Sequence, residues 1–188
     1  DESFINKDHF LRTNIIQGNV FKKNSDSIVI GKDCKKPWRV KGPVGMSAMS
    51  YGALGENAIS AMSYGLGAAT GSWVHTGEGG LAPYHTVGGG DVIMQIGSGI
   101  FGVREEDGTF SLEKFKEKAS NPNLKCFEIK LAQGAKIRGG HVEGSKINDE
   151  IAEIRGVEPW KTVDSPNRHN QFQDLNSLFD FIDKLRNT

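Results

Sequence analysis

Cysteine is nearly absent: Cys34 and Cys126 are the two in 188 residues. That excludes a disulfide framework and a four-cysteine zinc or iron–sulfur site. Both read as reduced thiols of a cytosolic protein, Cys126 buried in a strand. A charge of one sign is also lacking, since 23 Lys+Arg balance 23 Asp+Glu. This argues against nucleic acid or an anionic membrane bound through overall charge. Proline is scarce, at 6 residues, and there is no Gly-X-Y period, which removes collagen and proline-rich linkers. No apolar run approaches the roughly 20 residues of a spanning helix, and no signal-peptide pattern opens the chain. Internal repeats, a P-loop and a G-x-S-x-G elbow are missing too. The chain opens on Asp1 rather than Met, which reads as a processed or excised piece.

What is present is glycine, 24 residues of it, with 37% hydrophobic and 24% charged residues. That composition supports a packed core. Residues 1–27 are polar apart from Phe10, Leu11, Ile15 and Ile16, and read as a short helix or arm. Ser27–Gly31 is a short strand candidate. The basic group Lys32, Lys35, Lys36, Arg39 and Lys41 that follows reads as a solvated hairpin or loop. From Pro43 onward the pattern becomes regular. Val44–Met49 resembles a strand buried on both faces. Ala53–Ala69 is a helix with Ala58, Ile59, Met62 and Leu66 on one stripe. Trp73–His75, Asp91–Ile96 and Lys125–Ala132 are strands. Ser111–Ser120 and Asn148–Ile154 are helices, the second ended by Gly156. Asp174–Asn187 is the clearest helix, capped by Asp174, with Leu175, Leu178, Phe179, Ile182 and Leu185 sharing a face.

Alternating strands and helices imply βαβ units and a mainly parallel sheet. A (β/α)8 barrel needs about 250 residues, so residues 43–188, about half of that, read as part of a larger barrel or a piece that assembles with another, behind an N-terminal arm and hairpin at 1–42. Glycines gather after each strand: Met49–Gly52, His75–Gly80, Gly97–Gly102 and Gln133–Gly140. In parallel α/β proteins that edge binds ligands, and glycine lets backbone approach a flat or phosphorylated one. Polar residues stand at the same edge. Gln95 is costly to bury without a partner. Lys130, in an apolar strand, calls for pairing, with Glu128 on the same face as the plain structural partner. His75, His85 and His169 show no metal-ligand spacing.

Six of these stretches, in order, carry a resemblance: GMSAMSYGALG (Gly45–Gly55), HTGEGGLAPYH (His75–His85), IMQIGSGIFG (Ile93–Gly102), EIKLAQGAK (Glu128–Lys136), EIAEIRGV (Glu150–Val157) and SPNRH (Ser165–His169). Together they resemble the FMN-binding synthase domain of the glutamate synthase large subunit, nearest its short stand-alone relatives. The resemblance implies an α/β fold, a partial (β/α)8 TIM barrel with FMN at the carboxyl mouth. The implied reaction passes a hydride from reduced FMN to 2-iminoglutarate, formed from 2-oxoglutarate and ammonia, to give L-glutamate.

By resemblance Gln133, Lys136 and Arg155 fall on substrate positions; Arg155 paired with Glu150 or Glu153 is the plain alternative. Met49, Ser50 and Gly52 fall on the flavin floor, Gln95 and Lys130 on donors to its polar edge, and Thr76, with Gly77, on the mouth. Two departures stand out. Ile100 occupies a position where the family often has Arg, and IRGGHVEG replaces a commoner loop, with Arg138 and His141 as alternative anion contacts.

The implied partners are 2-oxoglutarate and ammonia, an electron-donor protein or subunit, and the missing barrel half or a second copy. Nucleic acid and membrane are not among them. An iron–sulfur cluster would come only from sequence outside this chain. The implied location is cytoplasmic, and the isolated chain is expected to be inactive. Two other readings remain: another FMN barrel oxidoreductase, and a noncatalytic half-barrel assembly module.

Overall fold

The computed structural model describes residues 28–40, 42, 44–69, 73–134 and 139–188. The expected N-terminal arm therefore lies outside the described residues, as do Lys41, Pro43, Lys136 and Arg138. The fold is mixed α/β, with a parallel sheet and four α-helices among the described residues. In chain order the strands are β1 (Ile28–Ile30), β2 (Trp38–Val40), β3 (Trp73–His75), β4 (Asp91–Ile96), β5 (Leu124–Ile129), β6 (His141–Val142) and β7 (Val163–Asp164). The helices are α1 (Glu56–Ala68), α2 (Leu112–Ala119), α3 (Asp149–Arg155) and α4 (Leu175–Arg186). No described helix is long and apolar enough to cross a membrane.

The centre is the parallel sheet β3-β4-β5. Val74, Val92, Met94 and Ile96 alternate onto one face and are fully buried. They lie under Met62 and Leu66 of α1, Phe115 of α2 and Leu185 of α4. A second cluster joins Ile59 of α1 to Ile151 and Ala152 of α3, with Tyr51, Ala82 and Ile147. Helix ends follow local chemistry. The Ser111 side chain accepts from Lys114 N–H, Asn148 from Ile151 N–H and Asp174 from Ser177 N–H, and Gly156 closes α3 in the left-handed region.

Several expectations change. Val44–Met49 is not a regular strand. It runs beside β3, where Met46 N–H donates to Trp73 C=O at 2.9 Å. Gly, Ser and Ala give a strand little side-chain surface to pack, and Gly45 lies so flat on the Trp73 indole that a Cβ would stand 2.1 Å from a ring atom. Helix α1 begins three residues late, because a turn at 50–54 uses Gly52 at φ 98°. On α4 the shared face is only partly covered: Leu175 and Phe179 are exposed, and Phe181, outside the expected stripe, is buried against Phe110.

The basic segment does form a hairpin, since β1 and β2 pair antiparallel. It closes the amino edge of the sheet. Trp38 Nε1 donates to Asp91 at 2.8 Å, and its ring meets Trp73 edge-on. Lys36 and Lys35 donate to Ala119 and Asn187 carbonyls at the carboxyl ends of α2 and α4, where the helix dipole favours a cation. Both cysteine thiols are free, and Cys126 is half-buried in β5 rather than enclosed. Burial is the main cause that pushes its thiol up.

Candidate functional site

The second face of the sheet is polar toward its carboxyl edge. The register pairs His75 with Ile93 and Gln95 with Glu128, so alternation sets His75, Gln95, Glu128 and Lys130 on one side. Gly77 N–H donates to His75 Nδ1 at 3.2 Å. The ring proton is therefore on Nε2, which stands 3.3 Å from Glu128 Oε1. The Gln95 amide donates to the same oxygen. Gln95 is 5% exposed, and its Oε1 has no partner.

One layer further out, Glu78 is the hub. Its Oε1 accepts from Gln133 at 2.7 Å and lies 3.4 Å from the Lys130 ammonium. Lys130 in turn donates to Gln133 Oε1 at 2.8 Å. A carboxylate, a cation and an amide thus form a closed ring at the sheet edge. Lys130 pairs with Glu78 and not with Glu128, because Glu128 is taken by His75 and Gln95. Glu78 was not singled out from sequence. The signal was there: a lone acid among glycines directly after a strand.

Thr76 is fully buried. Its hydroxyl donates to Gly77 C=O at 2.7 Å and accepts from Gln95 N–H at 3.2 Å. It holds the β3 and β4 ends together and does not line an opening. Ser50 packs against Gly77, where a Cβ would stand 2.7 Å from Ser50 N, and φ is 61°. Met49 sits half-buried between the two core clusters. The glycines at this edge serve loop-against-loop packing: Gly79 fits under Ser50 and Arg155, and Gly97 against Glu78. The expected ligand-cradling role is not what fills their missing side chains.

Arg155 is 3% exposed. It donates to Tyr51 C=O at 3.1 Å, faces the Phe101 ring at 5.2 Å and leaves Nε unpartnered. Burial lowers its pKa and the charge of Glu78 opposes that shift. It pairs with neither Glu150 nor Glu153. Glu150 instead accepts both Tyr51 and Tyr84 hydroxyls, at 2.5 and 2.8 Å, and Tyr51 is driven upward by burial first and by this bond second. Tyr51 thus pins the turn that carries Gly52. Ile100 is buried in the main core at φ 45°, so this position adds no polar contact to the edge. His141, exposed, pairs with Asp164 at 2.7 Å across β6–β7 and not with the Glu78 ring.

A segment after β7 straps the edge. Ser98 donates to Pro166 C=O at 2.5 Å, and Gly139 N–H to Asn167 at 3.0 Å. Among the described residues no three His, Cys, Asp or Glu stand together as a metal site.

Residues 5–188 match the conserved region in glutamate synthase. The chain belongs to the glutamate synthase family. It is 56% identical over 167 residues to the glutamate synthase large subunit-like protein YerD of Bacillus subtilis strain 168, covering 88% of this chain and 32% of that protein. It is 32% identical over 145 residues to the archaeal glutamate synthase (NADPH) of Methanocaldococcus jannaschii, covering 77% and 26%. It is also 32% identical over 147 residues to the glutamate synthase (NADPH) large chain of Bacillus subtilis, covering 74% and 9%. The chain therefore spans a third or less of the length of these glutamate synthase relatives.

Proposed function

We propose that residues 43–188 are the first half of an FMN-binding (β/α)8 barrel behind an N-terminal arm and hairpin at 1–42. The intact protein is then a glutamate synthase-type oxidoreductase of the cytoplasm. The observation that carries this is the meeting of Glu78, Lys130 and Gln133 at the carboxyl edge of parallel strands, beside the unpaired Gln95 oxygen. Family membership and the six ordered motifs supply the rest.

The residues fit a flavin. The polar edge of an isoalloxazine presents both an N–H and carbonyl oxygens. Gln95 Oε1 is a buried acceptor without a partner, and Lys130 is a cation at the same edge. Gln95 would meet the ring as an acceptor more readily than as the donor its sequence position suggested, because its amide already donates to Glu128. Met49, Ser50 and Gly52 would form the floor, and Thr76 would fix the mouth from behind. Reduced FMN, when bound, would supply a hydride for C2 of 2-iminoglutarate made from 2-oxoglutarate and ammonia.

The protein's own work is placement. Gln133 and Lys136 would receive a substrate carboxylate, and Arg155 would add charge from below, its Nε the donor still free. Glu78 holds Lys130 and Gln133 in fixed directions before substrate arrives, so little reorganisation is left for the reaction. Electrons would come from a partner, a ferredoxin-type protein or a pyridine-nucleotide subunit. Any iron–sulfur cluster would belong to sequence outside this chain.

The test is FMN titration of the intact protein and of its Lys130→Ala and Gln133→Ala variants, followed by flavin fluorescence and by glutamate formation from 2-oxoglutarate and ammonia. Lys130→Ala should weaken FMN binding about tenfold, the loss of one charged hydrogen bond. Gln133→Ala should leave FMN affinity within about threefold while raising KM for 2-oxoglutarate. Undiminished FMN binding by Lys130→Ala, or no binding by the wild type, overturns the assignment.

A further inference from the structure

Lys130 has two backbone neighbours of different origin. Its N–H donates to Ile96 C=O of β4 at 2.9 Å. Its C=O faces His169 Nε2 at 2.9 Å, from a residue 39 positions later on the segment between β7 and α4. A carbonyl can only accept, so Nε2 carries the hydrogen. The chain leaves the sheet just past this point, and Leu131 is exposed. Lys130 thus lies where a strand would fray, yet its ammonium completes the ring with Glu78 and Gln133.

His169 is itself held firmly. It is 1% exposed. Its ring stacks on Phe172, with centroids 4.9 Å apart and planes at 23°. Phe172 packs on Phe181 of α4, which meets Phe110 edge-on at 5.2 Å. Nδ1 faces the Gln171 side-chain amide at 3.3 Å, a group that serves the ring in either orientation. A rigid aromatic stack rooted in α4 therefore ends on one hydrogen bond to one site residue.

We infer that His169 is a positioning residue: its Nε2–H fixes the Lys130 carbonyl and so aims the Lys130 ammonium at Glu78 and Gln133. The effect on flavin rests on the proposed function; the contact itself does not.

Two variants separate the bond from the packing. His169→Phe keeps a ring on Phe172 and loses the donor. His169→Gln loses the ring and keeps an N–H at similar reach. Both are made in the intact protein and checked for an unchanged thermal midpoint. Amide hydrogen exchange of the peptide covering residues 130–134 should run about tenfold faster in His169→Phe and within about threefold of wild type in His169→Gln. FMN affinity should follow the same order. Equal damage in both variants, or a silent His169→Phe, overturns the inference, because packing alone predicts harm from the lost ring. A wild type that binds no FMN removes the functional proposal instead, and exchange then judges the His169 contact by itself.

Discussion

The two faces of the β3-β4-β5 sheet are made from the same three strands and differ in what buries them. Val74, Val92, Met94 and Ile96 are sealed under helices with nothing polar among their side chains. On the opposite side, His75, Gln95, Glu128 and Lys130 form a polar layer in which each group leans on another and one oxygen stays unpaired. The first face secures the fold. The second keeps a buried polar atom without a bond, at a cost of about 1–3 kcal/mol, which is a reason to look there for a ligand.

The largest test of this contrast is Met94→Ala. Met94 is fully buried in the main cluster, so truncation should cost about 2–5 kcal/mol in denaturant unfolding. A loss below about 1 kcal/mol would mean that the helix-covered face is not the main store of stability.

Next comes Gln95→Leu on the polar face. It removes the orphan oxygen at nearly constant volume while freeing Glu128 of one donor, so stability should stay within about 1 kcal/mol of wild type. FMN binding, by contrast, should fall at least about tenfold. Equal loss of both would erase the division of labour between the faces.

The gentlest effect is a pH slope. His85 is buried, and desolvation is the main cause holding its pKa below the usual imidazole value. Ala82 N–H donates to its Nδ1 at 3.1 Å. Below the unfolded pKa of about 6.5 the unfolded chain takes up a proton that the folded chain refuses. Stability should therefore be complete above that pH and decline as pH falls through it toward the depressed folded value. Urea midpoints between about pH 5 and 8 read this, and His85→Gln should flatten the slope. A slope unchanged in the variant would place the acid sensitivity on other groups.

Much of this was legible in the residues. Asp91–Ile96 and Trp73–His75 were bounded as observed, because an apolar run that ends in glycine has few other readings. Asp174 announced its helix through a short side chain that reaches a first-turn N–H group. The site was less legible for a definite reason. Lys130 stood out as a polar residue in an apolar strand and Gln133 through the family resemblance, but Glu78 became visible only when two loops 55 positions apart were brought together. Arg155 carried a helix-end signature, yet tertiary packing drew it inward under Tyr51 and Phe101. Val44–Met49 followed the pattern of a buried strand, and the flat face of Trp73 decided otherwise. Local pattern finds elements; it does not find the second partner of a charge.

The hairpin at the amino edge bears on how the chain reaches this state. Lys35 contacts the carbonyl of Asn187, 152 positions away, and Lys36 that of Ala119. The hairpin precedes α2 and α4 in the chain, so both carbonyls that receive its lysines are made after it. Closing so long a loop is entropically slow, and contacts of that separation delay folding. The lysine contacts therefore form late, whereas the Trp38–Trp73 pair of the same hairpin closes a much shorter stretch of chain and forms before them. The Ile28–Ile30 strand stays exposed in the folded chain as well, an apolar edge open to pairing with another strand.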